Sequence, residues 1–247
     1  MNLSEINKRE KDFHNELQKK DGRKFESNFY KAIRNMFEDF HNKIKENSSQ
    51  NTILDFGCGI GKNLETVINF NPKEITAIDI SDVSIEKAKK NAKNFSSKVI
   101  FKTGNCESTG LEDEKFDLVY GSGILHHLKL HKAILEINRL LKKEGKIIFI
   151  EPLGTNPIIN LYRRLTPGSR SPDEHPFVKS DFDLIYKYFK NIKITYYGLS
   201  TLIFLPFYKS SSNSYIFKIL KDLDQFLFKF YIFRIFAWSF LITAKKN

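Results

Sequence analysis

Between residues 52 and 151 short apolar runs alternate with charged segments of helical period, and no other feature of this 247-residue chain restricts its fold as strongly. The runs are TILDF, EITAID, KVIFK, FDLVYG and KIIFIE; residues 62–70, 83–95 and 130–141 carry the helical period between them. Strands alternating with helices predict a parallel sheet covered on both faces, its crossovers right-handed. Before it, Phe25, Phe29, Tyr30, Ile33, Met36, Phe37 and Phe40 recur at three and four residues, so residues 1–48 read as a helical lead-in and 49–247 as the domain itself.

Residues 152–179 follow the fifth strand without a clear period, hold five of the seven prolines, and read as a cap over one sheet edge. A helix opened by Ser180 as its cap and a strand in NIKITYYGLS come next. Residues 201–235 form a Phe-rich insertion: after the break KSSSNS at 209–214, Ile216, Ile219, Leu220, Leu223, Leu227 and Phe230 make an apolar stripe opposite Lys218, Lys221, Asp222, Gln225 and Lys229. Such a helix suits peripheral contact with a membrane or an apolar acceptor tunnel. Covering the sheet edge, or a second copy, is the plainer reading. FAWSFLITAKK supplies a last strand.

The net charge of +11 comes from lysines scattered along the whole chain, a compositional bias rather than a patch, and it speaks to nonspecific association rather than to fold. Cys58 and Cys106 lack disulfide or metal-ligand spacing, so no metal is expected. The first residues are charged and lack the apolar core of a secretory signal, and residues 195–208, the longest uncharged stretch of the C-terminal third, are short of the roughly 18 to 20 apolar residues of a spanning helix. The expected location is the cytoplasm, with an association at the inner membrane face left open. The oligomeric state is not legible.

The chemistry concentrates in ILDFGCGIGKN, a buried strand entering glycines at Gly57, Gly59 and Gly61. Glycine belongs where backbone turns sharply or approaches a ligand closely. The G-x-G-x-G spacing differs from the G-x-G-x-x-G dinucleotide fingerprint, which disfavours a nicotinamide-dependent oxidoreductase. Asp79 ends the second strand, where a carboxylate at the sheet's C-terminal edge accepts ribose hydroxyls.

ILDFGCGIG, AIDIS, GNCES and FDLVYGSGILHHL, in this order, resemble the class I S-adenosylmethionine-dependent methyltransferases, in the small-molecule branch that includes the ubiquinone/menaquinone methyltransferases. The resemblance spans roughly residues 50–151. It implies an α/β fold with a seven-stranded Rossmann-like sheet in the order 3-2-1-4-5-7-6, the last strand antiparallel. It also implies S-adenosyl-L-methionine as cofactor and methyl transfer to an O, N or C atom of a small or lipid-like acceptor. By the same resemblance Asp55 holds the glycine loop and the cofactor's amino group, Gly57, Cys58, Gly59, Gly61 and Gly121 line the cofactor, and Asp79 takes the ribose. Ile80 packs on adenine, and Asn105 and Cys106 meet its edge.

Methyl transfer from a sulfonium needs alignment above all, and a base only where the acceptor keeps its proton. His126 follows the fourth strand, Glu151 closes the fifth and His175 sits in the cap, so these three are the candidate catalytic residues. The basic charge also permits an RNA-binding module or a nucleic-acid methyltransferase. The chain after the fourth strand reads YGSGILHH, with no Asn/Asp-Pro-Pro-Tyr/Phe or Pro-Cys motif, so DNA is not an expected partner.

Overall fold

The computed structural model describes residues 3–20, 30–92, 99–204 and 215–247. Seven strands, β1 (Thr52–Phe56), β2 (Glu74–Asp79), β3 (Val99–Thr103), β4 (Phe116–Ser122), β5 (Leu141–Pro152), β6 (Phe189–Tyr197) and β7 (Ser239–Lys246), form one sheet in the order β3-β2-β1-β4-β5-β7-β6. β1 to β5 pair in parallel, and β7 runs antiparallel between β5 and β6. This is the expected topology.

Ten helices are described: α1 (Glu5–Lys19), α2 (Arg34–Lys45), α3 (Leu64–Val67), α4 (Asp82–Asn91), α5 (Leu130–Leu140), α6 (Pro157–Leu165), α7 (Lys179–Tyr188), α8 (Ser200–Ile203), α9 (Tyr215–Leu227) and α10 (Tyr231–Arg234). The central strands are buried on both faces, and alternate residues feed opposite cores, as a period of two requires. Ile53, Leu118, Tyr120 and Ile148 pack with Met36, Phe40 and Ile44 of α2, whose burial contributes about 1.5–3 kcal/mol per side chain. Leu54, Phe56, Val119 and Phe149 pack on the other face with Ile134 and Ile137 of α5 and Phe182 of α7.

Several elements differ from the sequence expectation. The helix expected at 62–70 is the single turn α3 followed by a 3-10 turn, Ile68–Phe70. β5 begins at Leu141, because Leu141 pairs with Phe116 before a bulge resets the register at Lys146. The cap contains α6, which Asn156 starts by accepting from the N–H groups of Ile158 and Ile159, with Pro157 preorganised in the first turn. Ser180 does not cap α7; the Asp181 carboxylate accepts the Val178 N–H at 2.8 Å instead. Phe25, Phe29, residues 93–95 and the break at 209–214 lie outside the described residues.

α9 is turned relative to its predicted stripe. Phe217, Leu220 and Asp224 face inward, whereas Ile216, Ile219, Leu223 and Phe226 are exposed. A buried acid is tolerable there because Asp224 accepts from the Ser200 N–H and from the hydroxyls of Ser200 and Thr201, and it thereby caps α8. Phe217 lies under the Arg34 guanidinium, 3.4 Å from its ring centre, which fastens α9 to α2.

Candidate functional site

All the residues singled out in sequence, His175 and Gly121 included, lie at or after the C-terminal ends of the strands, where ligands bind in open α/β sheets. After β1 the chain turns so that the N–H groups of Gly57 and Cys58 both donate to Ile78 O at 2.9 Å. Gly57 has φ +77°, and a Cβ there would stand 2.4 Å from Ile124, so its bareness serves packing. Gly59 has φ +53° with nothing within 4 Å of where a Cβ would be, so this backbone faces open space. Gly61 rests on Ala88 of α4, and Gly121 is filled around by the Phe149 ring, Phe56 O and Ile124, a packing position.

Asp79 holds this turn in place: Oδ2 accepts the Gly59 N–H at 2.8 Å and Oδ1 the Ser81 N–H at 2.9 Å. α4 is capped independently, by Ser81 Oγ on the Ser84 N–H. Ile80 is half-buried beside it. Asp55, expected to hold the glycine loop, does not: Ile78 and Asp79 do that work. Its side chain is 1% exposed, across the ladder from Tyr120, and neither carboxylate oxygen has an aligned hydrogen-bond partner. Burial pushes its carboxyl up to about 7. Burial likewise raises the thiols of Cys58 and Cys106, which makes both inert at neutral pH.

Asn105 is already engaged. Its Oδ1 accepts the Glu107 N–H at 2.9 Å and its Nδ2 faces Asn7 Oδ1 at 3.4 Å. Asn7 in turn donates to Glu107 Oε1 at 3.2 Å, which also accepts the Lys129 N–H. Asn7 belongs to α1, and that helix crosses the strand ends. Further along, Asn15 contacts Ser81 Oγ and Asp82, while Arg9 forks onto Asp173 of the cap at 2.8 and 2.9 Å.

Glu151 is fully buried and accepts three donors: the Ile124 N–H (2.9 Å), the Leu125 N–H (2.8 Å) and, on its other oxygen, His126 Nδ1 (2.6 Å). Burial pushes its carboxyl up to about 7 against these donations. His127 packs on His126, ring centres 4.1 Å apart, and burial, then the neighbouring His126, hold its imidazole below the usual range and hence neutral. His175 stands apart from this group: its ring is 61% exposed and 3.3 Å from Asp181, and only its backbone N–H reaches inward, to His126 O. Sequence reasoning placed a helical lead-in over residues 1–48 but missed that α1 packs at the strand ends. Its inward face is polar, with Asn7, Glu10 and His14 at helical spacing, a pattern that a search for apolar stripes passes over.

These residues fit a cofactor that carries a ribose and an ammonium. The buried Asp55 carboxylate interacts with the Tyr120 hydroxyl without an aligned hydrogen bond, Asp79 stands at the strand end, and the Gly59 backbone is open.

Residues 54–149 match the family described as a methyltransferase domain. An uncharacterized methyltransferase of Schizosaccharomyces pombe is 35% identical over 107 residues, 43% of this chain and 41% of that protein. A sterol 4-C-methyltransferase of Caenorhabditis elegans is 31% identical over 106 residues, 42% of this chain and 31% of that protein. The chain thus spans about two fifths of the length of the curated relatives it matches first. Among solved structures, geranyl diphosphate C-methyltransferase from Streptomyces coelicolor, crystallised with S-adenosyl-L-homocysteine, superposes with a TM-score of 0.65 at 14% identity, over 87% of this chain and 79% of that one. A Haemonchus contortus phosphoethanolamine N-methyltransferase gives 0.59 at 15% identity, over 81% and 49%. The sheet order and strand directions are the fold that this chain shares with these solved structures.

Proposed function

We propose that this protein is an S-adenosylmethionine-dependent methyltransferase that methylates an O, N or C atom of a small or lipid-like acceptor and releases S-adenosylhomocysteine. The observation that carries this reading is the buried Asp55 carboxylate, without an aligned hydrogen-bond partner, beside a glycine turn pinned by Asp79. When bound, the cofactor supplies an electrophilic methyl group on a sulfonium. Asp79 accepts the ribose hydroxyls, Asp55 takes the amino group, and the Gly57–Gly61 turn with Cys58 lines the methionine and ribose portions. Ile80 packs on adenine, and Asn105 and Cys106 meet its edge. The glycine turn and α1 exclude water and align the reacting atoms, which is most of what this displacement requires. His126 acts as base toward a protonated acceptor, and Glu151 orients it, as a buried carboxylate does for a catalytic histidine.

Calorimetric titration with S-adenosylhomocysteine, with NADH as control, is expected to give micromolar binding for the first and none for the second. The reverse result returns the chain to the oxidoreductase reading.

For the acceptor we favour a lipid or lipid-linked molecule met at an anionic membrane surface. Ile216, Ile219, Leu223 and Phe226 of α9 are exposed, with Lys218 and Lys229 beside them and Tyr231 and Ile232 exposed on α10. No described helix is long and apolar enough to cross a membrane, so the contact is a surface one. The protein is expected to co-sediment with phosphatidylglycerol-containing vesicles more than with phosphatidylcholine ones, and the double variant Ile219→Ser, Phe226→Ser to lose most of that binding. A dimer in light scattering without vesicle binding would assign the face to a second copy.

A further inference from the structure

Above the strand ends, α1 and the turn after β4 bring three metal-ligating atoms together. Glu10 Oε2 lies 3.1 Å from His127 Nδ1 and 3.5 Å from His14 Nε2, and all three lie within 4.8 Å of one another. In a tetrahedral shell with bonds of about 2.0–2.1 Å, neighbouring ligand atoms stand about 3.3 Å apart, so two of the three separations already have that length.

Glu10 is in close polar contact with both imidazoles, but the geometry of these contacts is poor. Glu10 Oε2 and His127 Nδ1 belong to side chains only 5% and 9% exposed, and neither atom has an aligned hydrogen-bond partner, although they are 3.1 Å apart. One cation between the buried carboxylate oxygen and the buried imidazole nitrogen would replace this misaligned contact with two ligand bonds. The remaining atoms of the same side chains are held from outside. Ser171 Oγ donates to Glu10 Oε1, and Glu174 Oε1 stands 3.9 Å from His127 Nε2. A ligating imidazole whose second nitrogen faces a carboxylate is the usual outer arrangement of a metal-bound histidine. Two imidazoles and one carboxylate suit a borderline transition metal such as zinc better than magnesium or calcium, which prefer all-oxygen shells.

We propose that Glu10, His14 and His127 bind one divalent transition-metal ion of the zinc class, which ties α1 to the turn after β4. Three protein ligands leave a fourth position for water or an oxygen of the acceptor. The ion adds a cross-link where α1 otherwise rests on polar contacts, and Ser171 and Glu174 draw the cap loop into the same structure. This inference stands independently of the cofactor reading, because metal binding and S-adenosylhomocysteine binding are measured separately.

The test is calorimetric titration of the chelator-stripped 247-residue chain with zinc chloride, together with the visible spectrum of the cobalt(II) form. One equivalent bound at micromolar affinity or tighter, with the visible bands of four-coordinate cobalt, is expected. Glu10→Gln, which keeps the contact to Ser171, and His127→Ala should each weaken zinc binding at least about tenfold. His131→Ala, at an exposed position on α5, should leave it unchanged. Circular dichroism establishes whether each variant is folded. Should both ligand variants unfold, the cobalt spectrum of the unaltered protein still decides, since bands of six-coordinate cobalt, or none, overturn the proposal. So does absence of zinc binding at 100 μM, or zinc affinity that survives both ligand substitutions.

Discussion

Replacing Asp79 by alanine is expected to weaken S-adenosylhomocysteine binding tenfold to hundredfold, about 1.4–2.7 kcal/mol, in a protein that still folds. Two losses add. The ribose hydroxyls lose a carboxyl acceptor, and the Gly59 and Ser81 N–H groups lose the side chain that fixes the glycine turn. The fold survives because α4 keeps its own cap through Ser81 Oγ and the Gly57 and Cys58 N–H groups still reach Ile78 O. Asp79→Asn retains one acceptor oxygen and should fall between the two. Calorimetry read beside thermal unfolding separates the possibilities: a lowered Tm with unchanged affinity would reduce Asp79 to a staple for the loop.

The largest stability effect is expected at Glu151. Glu151→Ala strands three donors in a buried site, two backbone N–H groups and His126 Nδ1, at a cost of about 1 kcal/mol or more each. A total near 3 kcal/mol lowers the Tm of a chain this size by about 6–12 °C. Glu151→Gln should recover most of that, because its amide oxygen still accepts the Ile124 and Leu125 N–H groups. Its amide nitrogen then donates to Nδ1 and moves the ring proton to Nε2, which removes the lone pair a base would use. Nitrogen-15 shifts of His126 read this exchange directly. Turnover, followed as S-adenosylhomocysteine release with a lipid extract as acceptor, should drop about a hundredfold while cofactor affinity stays. Unchanged turnover with a moved proton would leave His126 a packing residue.

What could be read in the sequence was governed by whether burial there is apolar. The strands of the sheet are short runs of Ile, Leu, Val and Phe with both faces covered, so their existence and order followed from the pattern and from the family resemblance. Gly59 and Asp79 stood out in sequence by their place at strand ends, whereas the hydrogen bond that joins them is a property of the folded turn. The packing of α1 escaped because Asn7 and Glu10 are buried through hydrogen bonds and ion pairs with residues about 100 and 160 positions away, contacts that leave no local period. α9 misled in the opposite direction. Its richest apolar stripe faces outward, and Asp224 faces inward because Ser200 and Thr201 satisfy it. The extension of β5 to Leu141 was hidden by Lys142, Lys143, Glu144 and Gly145, where a bulge rather than a run of apolar residues continues the pairing. At Glu151 the position was visible and its task was not, since three converging donors are a property of the folded turn.

The antiparallel β7 has a consequence for how the chain is made. β6 ends at Tyr197, but its one sheet neighbour among the described residues, β7, starts at Ser239, and the far side of β5 waits for the same strand. Synthesis proceeds from the N-terminus, so β1 to β5 can assemble early while β5 keeps an unpaired edge and β6 has nothing to join. Until residues 239–246 emerge and thread between them, a growing chain displays an open ladder beside the apolar residues of α9. Nascent chains halted before Ser239 are therefore the species in which chaperone capture and self-association should be concentrated, and one late strand completes their sheet.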